Sequence, residues 1–146
     1  METMDLAKSV LRSGVKSRSF PCTFNASLDY WSTEGVLYFD RDELMYLISE
    51  RIRENDLFDT VNMRTLNLEE KLHNQAYEAA FPDGDVDARN VDCWCDCESI
   101  KNYIRSWEIL INKILDGEIS ESSIEDWMSY FSSVEMEWET IEEYMS

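Results

Sequence analysis

Hydrophobic residues recur every three or four positions in several segments of the chain, a spacing typical of helices with one buried face. The apolar positions within residues 4–11 predict a short opening helix that ends near Gly14. Those within residues 44–52 predict a second helix that ends at about residue 53, and Asp40 is the expected N-cap. Glu43 lies three residues after Asp40, so the pair is predicted to form a capping box.

Three further helices are indicated later in the chain. Residues 67–81 have helical periodicity and precede a Pro-Asp-Gly-Asp turn. The clearest helix is predicted over 99–116, where the apolar residues form a single stripe and Gly117 supplies the C-terminal stop. A stripe over 124–145 predicts one long helix; the alternative is two helices divided at the serines at 132 and 133.

Two segments near the N-terminus favour strands. Residues 20–25 are rich in aromatic and β-favouring residues but include Pro21, so an edge strand or extended arm is expected. Residues 35–39 predict a buried strand, whereas 56–66 is ambiguous. The predicted fold class is α+β and mostly helical, with four to six helices and a small two- or three-stranded sheet near the N-terminal half.

The length predicts a single domain over 1–146, with a near-neutral α/β part (1–66) and an acidic helical part (67–146). The chain has 31 acidic and 13 basic residues, a formal net charge of -18. Residues 1–53 contribute only -1, and residues 54–146 contribute -17. An aromatic content of 12 % indicates that this acidic chain folds, because disordered acidic tails lack such residues.

The acidic residues are most concentrated at the C-terminal end. Residues 115–146 contain ten carboxylates and no Lys or Arg. Several follow one another at three- or four-residue steps, which places them on one helix face and makes them repel one another. Such a surface repels nucleic acid and attracts basic proteins. The candidate partner-binding residues are Asp83, Asp85, Asp87, Glu118, Glu121, Glu125, Asp126, Glu135, Glu139, Glu142 and Glu143. The alternative interpretation is a solvated face that keeps the protein in solution.

The most specific local pattern is a run of three alternate cysteines, Cys93, Cys95 and Cys97. Together with Cys22 they could supply four thiolates to a structural zinc ion, with the imidazole of His73 as an alternative ligand. Such a site would join the N-terminal arm to the acidic connection over 82–97. The alternative is a set of partly buried thiols, because the spacing differs from the usual paired zinc ligands.

The first fifteen residues contain no apolar run of signal-peptide length, which predicts a cytoplasmic protein. Thiols or metal ligands are then expected in preference to disulfides. The sequence contains no phosphate-binding glycine loop, metalloprotease motif or nucleophile elbow. With one histidine and no carboxylate pair that stands out, a non-enzymatic protein is expected.

In size, acidity and helical character the chain resembles the small acidic phage-encoded inhibitors of bacterial immunity, of the anti-CRISPR or anti-restriction type. The resemblance involves no matched motif, so no residue roles follow from it. It implies a non-enzymatic inhibitor in the bacterial cytoplasm that blocks DNA binding or loading by a basic nuclease, preferably a CRISPR-Cas effector such as the single-protein Cas nuclease. The alternatives are a zinc-stapled adaptor or assembly protein that binds another basic protein, and a small enzyme of unfamiliar type.

Overall fold

A computed structural model describes residues 2–52, 57–58, 67–84 and 86–126. Its longer elements, in chain order, are α1 (Thr3–Gly14), β1 (Arg18–Ala26), β2 (Ser32–Phe39), α2 (Arg41–Arg51), α3 (Leu68–Ala80), β3 (Cys93–Asp96) and α4 (Glu98–Leu115). The fold is α+β and mostly helical, as the sequence predicts.

The chain forms two compact units, and each is assembled from separate stretches of sequence. The helical unit comprises Met1–Arg18, Phe39–Arg64 and Ser99–Ser146, and the sheet unit comprises Ser19–Tyr38 and Thr65–Glu98. Both units therefore use residues from either side of position 66. Residue 66 therefore separates two parts of the sequence that differ in charge, and it does not separate the two structural units. The expectation of a single domain stays a prediction.

The helical unit contains α1, α2 and α4. The predicted stripe of α4 is buried throughout, and Trp107, Ile111 and Ile114 have no exposed surface. The capping box of α2 is confirmed. The Asp40 side chain accepts a hydrogen bond from the Glu43 N–H at 2.8 Å, and the Glu43 carboxylate accepts one from the Asp40 N–H at 3.0 Å.

The C-terminal end of α1 is bound by a side chain from the start of α2. The Arg41 guanidinium donates to the carbonyl oxygens of Val15 and Arg12, each at 3.2 Å. These bonds satisfy carbonyl groups that a helix end leaves without intrahelical partners.

The sheet unit contains a three-stranded sheet in the order β2-β1-β3 and the helix α3, which packs against β3. β1 alternates between buried and more exposed positions, so its buried face consists of Phe20, Cys22, Phe24 and Ala26. Gly35 of β2 lies against the Phe24 ring, and a Cβ at that position would be 2.2 Å from a ring carbon. Only glycine fits there without displacing the ring.

Three sequence predictions for this unit are wrong. β1 is the central strand and not an edge; its ladder with β3 pairs Thr23–Ala26 and so does not require an N–H from Pro21. β2 is buried on one face only, because it lies at the edge of the sheet and exposes Val36 and Tyr38. The acidic connection contains a strand, β3, that the sequence analysis does not predict.

The helices at 67–81 and 99–116 are confirmed as α3 and α4 with small shifts at their ends. Gly117 follows α4 with φ of 75°, a conformation that suits a glycine stop. The stripe over 124–145 is described only as far as Asp126: a short 3-10 turn over Glu121–Ser123 leads into helical residues 124–126. The rest of that prediction lies outside the described residues.

Candidate functional site

The antiparallel pairing of β1 with β3 brings the cysteine cluster together. Phe24 is paired with Cys95 and Ala26 with Cys93. Continuing the same register places Cys22 opposite Cys97, and these two form a disulfide with a Cα–Cα separation of 4.4 Å. The expectation of thiols in preference to disulfides is therefore wrong for this pair. It was based on the expected compartment, whereas the strand register sets the two side chains face to face within bonding reach.

Cys93 and Cys95 are free thiols on the face of β3 toward α3. Cys93 is buried, and the Cys95 thiol donates to the Leu72 carbonyl of α3 at 3.2 Å. Burial raises the pKa of the Cys95 thiol to about 11, and burial together with the neighbouring Asp92 carboxylate raises the pKa of Cys93. A raised pKa favours the protonated thiol at neutral pH, which makes both groups poor nucleophiles.

His73 of α3 lies beside the cluster, where its ring contacts a backbone carbonyl and a neighbouring aromatic ring. Its Nδ1 is 3.2 Å from the Cys93 carbonyl oxygen, and its ring is stacked with that of Tyr77 at a centroid distance of 6.5 Å. Within the described ranges, no group of three or more His, Cys, Asp or Glu residues is placed to hold a metal. The zinc site stays a prediction, and it would require reduction of the Cys22–Cys97 disulfide.

The predicted acidic residues of the sheet unit lie in the connection after α3. Asp83 and Asp87 are exposed, and Asp85 lies outside the described residues. Asp87 is paired with Arg89 at 2.8 Å, and hydrogen bonds from Arg89 lower the pKa of the Asp87 carboxyl. Asp87 is thus partly neutralised within its own loop.

The predicted acidic residues of the helical unit follow α4. Glu118, Glu121, Glu125 and Asp126 are all exposed. Glu118 lies 3.1 Å from the Lys113 ammonium, a surface ion pair of small expected worth. The remaining candidates, Glu135, Glu139, Glu142 and Glu143, lie outside the described residues.

Sequence analysis missed the exposed apolar side chains of the sheet unit. Trp94 of β3 is 43 % exposed, and Val36 and Tyr38 of β2 are more than half exposed. A signal was present in the alternation of Cys93, Trp94 and Cys95, because a period of two is typical of a strand with one buried face. The zinc hypothesis considers only the three cysteines of this alternation and not the residues between them.

No protein-family model, curated protein or solved structure matches the chain. Among the residues described, helices are too short or too polar to cross a membrane.

Proposed function

We propose that this protein is a non-enzymatic inhibitor that binds the basic nucleic-acid-binding surface of another protein and blocks DNA binding or loading. The preferred target is a CRISPR-Cas effector, such as the single-protein Cas nuclease, in the bacterial cytoplasm. The observation that carries the proposal is the concentration of carboxylates after α4, where residues 115–146 include ten acids and no Lys or Arg.

The exposure of the described acids supports this proposal. Glu125 and Asp126 are open to solvent on a segment with no basic residue of its own. Their mutual repulsion costs stability, and a basic partner would relieve it. A nucleic-acid channel is lined with Lys and Arg that neutralise phosphates, so carboxylates on a folded protein can compete for the same cations.

The zinc-stapled adaptor receives less support. Two of its four proposed sulfur ligands, Cys22 and Cys97, are joined to each other in a disulfide. The inhibitor requires no metal and no catalytic group, and its affinity would depend on surface charge.

The test is competition with DNA for a purified, guide-loaded Cas nuclease. Labelled target DNA is titrated against the nuclease in the presence of wild-type protein or of a variant in which Glu121→Lys, Glu125→Lys and Asp126→Lys are combined. Exposed charge pairs contribute up to about 1 kcal/mol each. The triple reversal is therefore expected to weaken inhibition by roughly tenfold to a hundredfold.

A matched control reverses three other exposed acids, with Glu2→Lys, Asp5→Lys and Glu50→Lys combined. It changes the net charge by the same amount but leaves the C-terminal segment intact, so it is expected to retain most of the inhibition. Equal losses in the two variants would show that overall charge, and not this surface, is responsible. A wild-type protein that leaves DNA binding unchanged at low salt would refute the proposed target.

A further inference from the structure

The large exposed apolar side chains of the described chain all belong to the sheet unit. Two lie in the turn between β1 and β2, and three project from the strands. They are Leu28 (47 % exposed), Tyr30 (96 %), Val36 (62 %), Tyr38 (58 %) and Trp94 (43 %). An exposed apolar side chain can contribute to an interaction surface where it adjoins others.

The turn between β1 and β2 has a backbone that Tyr30 does not favour. Asp29 and Tyr30 have φ of 58° and 51°, and the Trp31 N–H donates to the Leu28 carbonyl at 3.3 Å. Hairpin turns with two such residues prefer Asn-Gly or Asp-Gly, because a side chain at positive φ is strained. A tyrosine that is almost fully exposed gains nothing from folding at this position, so a role in binding accounts for it better than stability does.

The start of β3 lies at the same end of the sheet as this turn. The Ser27 N–H donates to the Asp92 carbonyl at 2.8 Å, and Trp94 is paired with Asn25. Asp96, two residues after Trp94, is exposed on the same face of the strand. The Asn25 side chain donates to the Asp96 carboxylate at 3.2 Å and so holds it in place.

The sheet unit that carries these aromatic groups has a strongly negative net charge. The two segments of the sheet unit, Ser19–Tyr38 and Thr65–Glu98, contain eleven acids and two bases, a net charge of -9. Both bases have partners within the unit: Lys71 donates to the Tyr38 carbonyl at 2.7 Å, and Arg89 is paired with Asp87. A complementary partner is therefore cationic.

We propose that Leu28, Tyr30, Trp94 and Asp96 form an arginine-binding face, and that its occupant is an arginine-bearing segment of a basic protein. A planar guanidinium can stack on the Trp94 indole while it donates to the Asp96 carboxylate. A lysine ammonium cannot make both contacts with the same geometry, so the face distinguishes arginine from lysine. This inference rests on the proposed function, because the basic protein that the inhibitor binds would carry the arginine. A second copy of this chain is a poorer occupant, because each copy has a net charge of -18.

The first experiment measures the affinity of fluorescein-labelled nona-arginine and nona-lysine for the full chain by fluorescence anisotropy. The two probes have equal charge, so long-range attraction to the acidic residues elsewhere is the same for both, and the loss of preference in the variants below measures the share that belongs to this face. The wild-type protein is expected to prefer nona-arginine by about fivefold, the range of an exposed cation–π contact. Trp94→Thr and Asp96→Asn are each expected to reduce that preference, with little effect on nona-lysine in the case of Trp94→Thr.

Two matched controls lie on the same face of the sheet. Tyr38→Thr removes an exposed aromatic ring from β2, and Glu34→Gln removes an exposed carboxylate from that strand. Both are expected to retain the wild-type preference. Equal affinity of the wild-type protein for the two peptides, or an equal loss in the controls, would overturn the arginine-binding face.

Tyr30→Gly separates binding from folding. Glycine relieves the positive φ, so this variant is expected to have a higher Tm than the wild type and yet a lower affinity for nona-arginine. A structural defect cannot produce that combination. A Tm that rises with unchanged affinity would remove Tyr30 from the face.

A parallel measurement with the guide-loaded nuclease distinguishes this inference from the proposed function. If the wild-type protein blocks DNA binding and Trp94→Thr blocks it equally well, the arginine-binding face is wrong and the proposed function stands. If the wild-type protein does not bind the nuclease but prefers nona-arginine through Trp94, the face stands and the proposed function fails. Sedimentation gives a third outcome: a wild-type dimer that Trp94→Thr converts to a monomer would make this face a self-interface and overturn the inference.

Discussion

Cys95 shows how one side chain can lose its reactivity through its surroundings alone. Its thiol lies on the inner face of β3 and donates to the Leu72 carbonyl, and burial raises its pKa to about 11. Burial likewise raises the pKa of Cys93. The two cysteines thus match the alternative that the sequence offers to a zinc site, a set of partly buried thiols.

We predict that Cys95 reacts slowly with iodoacetamide at neutral pH and that its rate increases about tenfold per pH unit up to about pH 11. The thiolate is the nucleophile, and its fraction grows in that proportion below the pKa. Because the folded pKa is raised, this thiol's contribution to stability is complete below the unfolded pKa and is lost as the pH rises from there through the folded pKa of about 11. Mass spectrometry of alkylated peptides provides the measurement. A Cys95 rate equal to that of an unfolded cysteine peptide at pH 7 would contradict the prediction.

At the scale of elements, β1 is held to β3 by a ladder and by the Cys22–Cys97 disulfide, which closes a sequence separation of 75 residues. The sequence predicts a zinc site that joins the N-terminal arm to the acidic connection, and the disulfide joins the same two segments. The disulfide forms between residues that the register places opposite each other.

We predict that reduction of this disulfide lowers the free energy of unfolding by about 2–5 kcal/mol, because it restores conformational freedom to a long loop in the unfolded chain. Urea unfolding with and without reductant measures the change. The variant that combines Cys22→Ser with Cys97→Ser should be as unstable as the reduced protein and insensitive to reductant. Cys95→Ser should keep the wild-type sensitivity, and an unfolding curve that reductant does not move would contradict the prediction.

At the scale of the whole molecule, the net charge of -18 opposes the folded state, because folding brings like charges together. The surface ion pairs Lys113–Glu118 and Arg89–Asp87 offset little of this repulsion, since exposed pairs contribute at most about 1 kcal/mol. Screening of the repulsion should therefore outweigh any weakening of these pairs.

We predict that the protein becomes more stable as NaCl is raised, since the screening length falls from about 30 Å at 0.01 M to about 3 Å at 1 M. A gain of about 1 kcal/mol would raise Tm by roughly 4 °C. Thermal unfolding followed by circular dichroism measures it, with KCl as a second salt. The triple variant at Glu2, Asp5 and Glu50 should gain less, because it has less repulsion to screen. A Tm that falls with salt would indicate that specific ion pairs dominate.

The sequence by itself determined the features that depend on near neighbours. The capping box of Asp40 and Glu43 needs only a three-residue spacing, and the stripe of α4 needs only helical periodicity. The charge asymmetry is likewise a property of composition. These features follow from contacts within a few residues along the chain, so a single sequence suffices to predict them.

Only the tertiary structure decided which strand lies in the centre of the sheet, which cysteines pair and on which side Trp94 lies. Each depends on the register between β1 and β3, segments about seventy residues apart, and a one-residue shift would exchange the buried and exposed faces. The pattern of residues within either segment does not indicate how the two segments are aligned. The exposed Trp94 beside Asp96 is therefore a product of strand pairing, and so is the arginine-binding face that we infer from it.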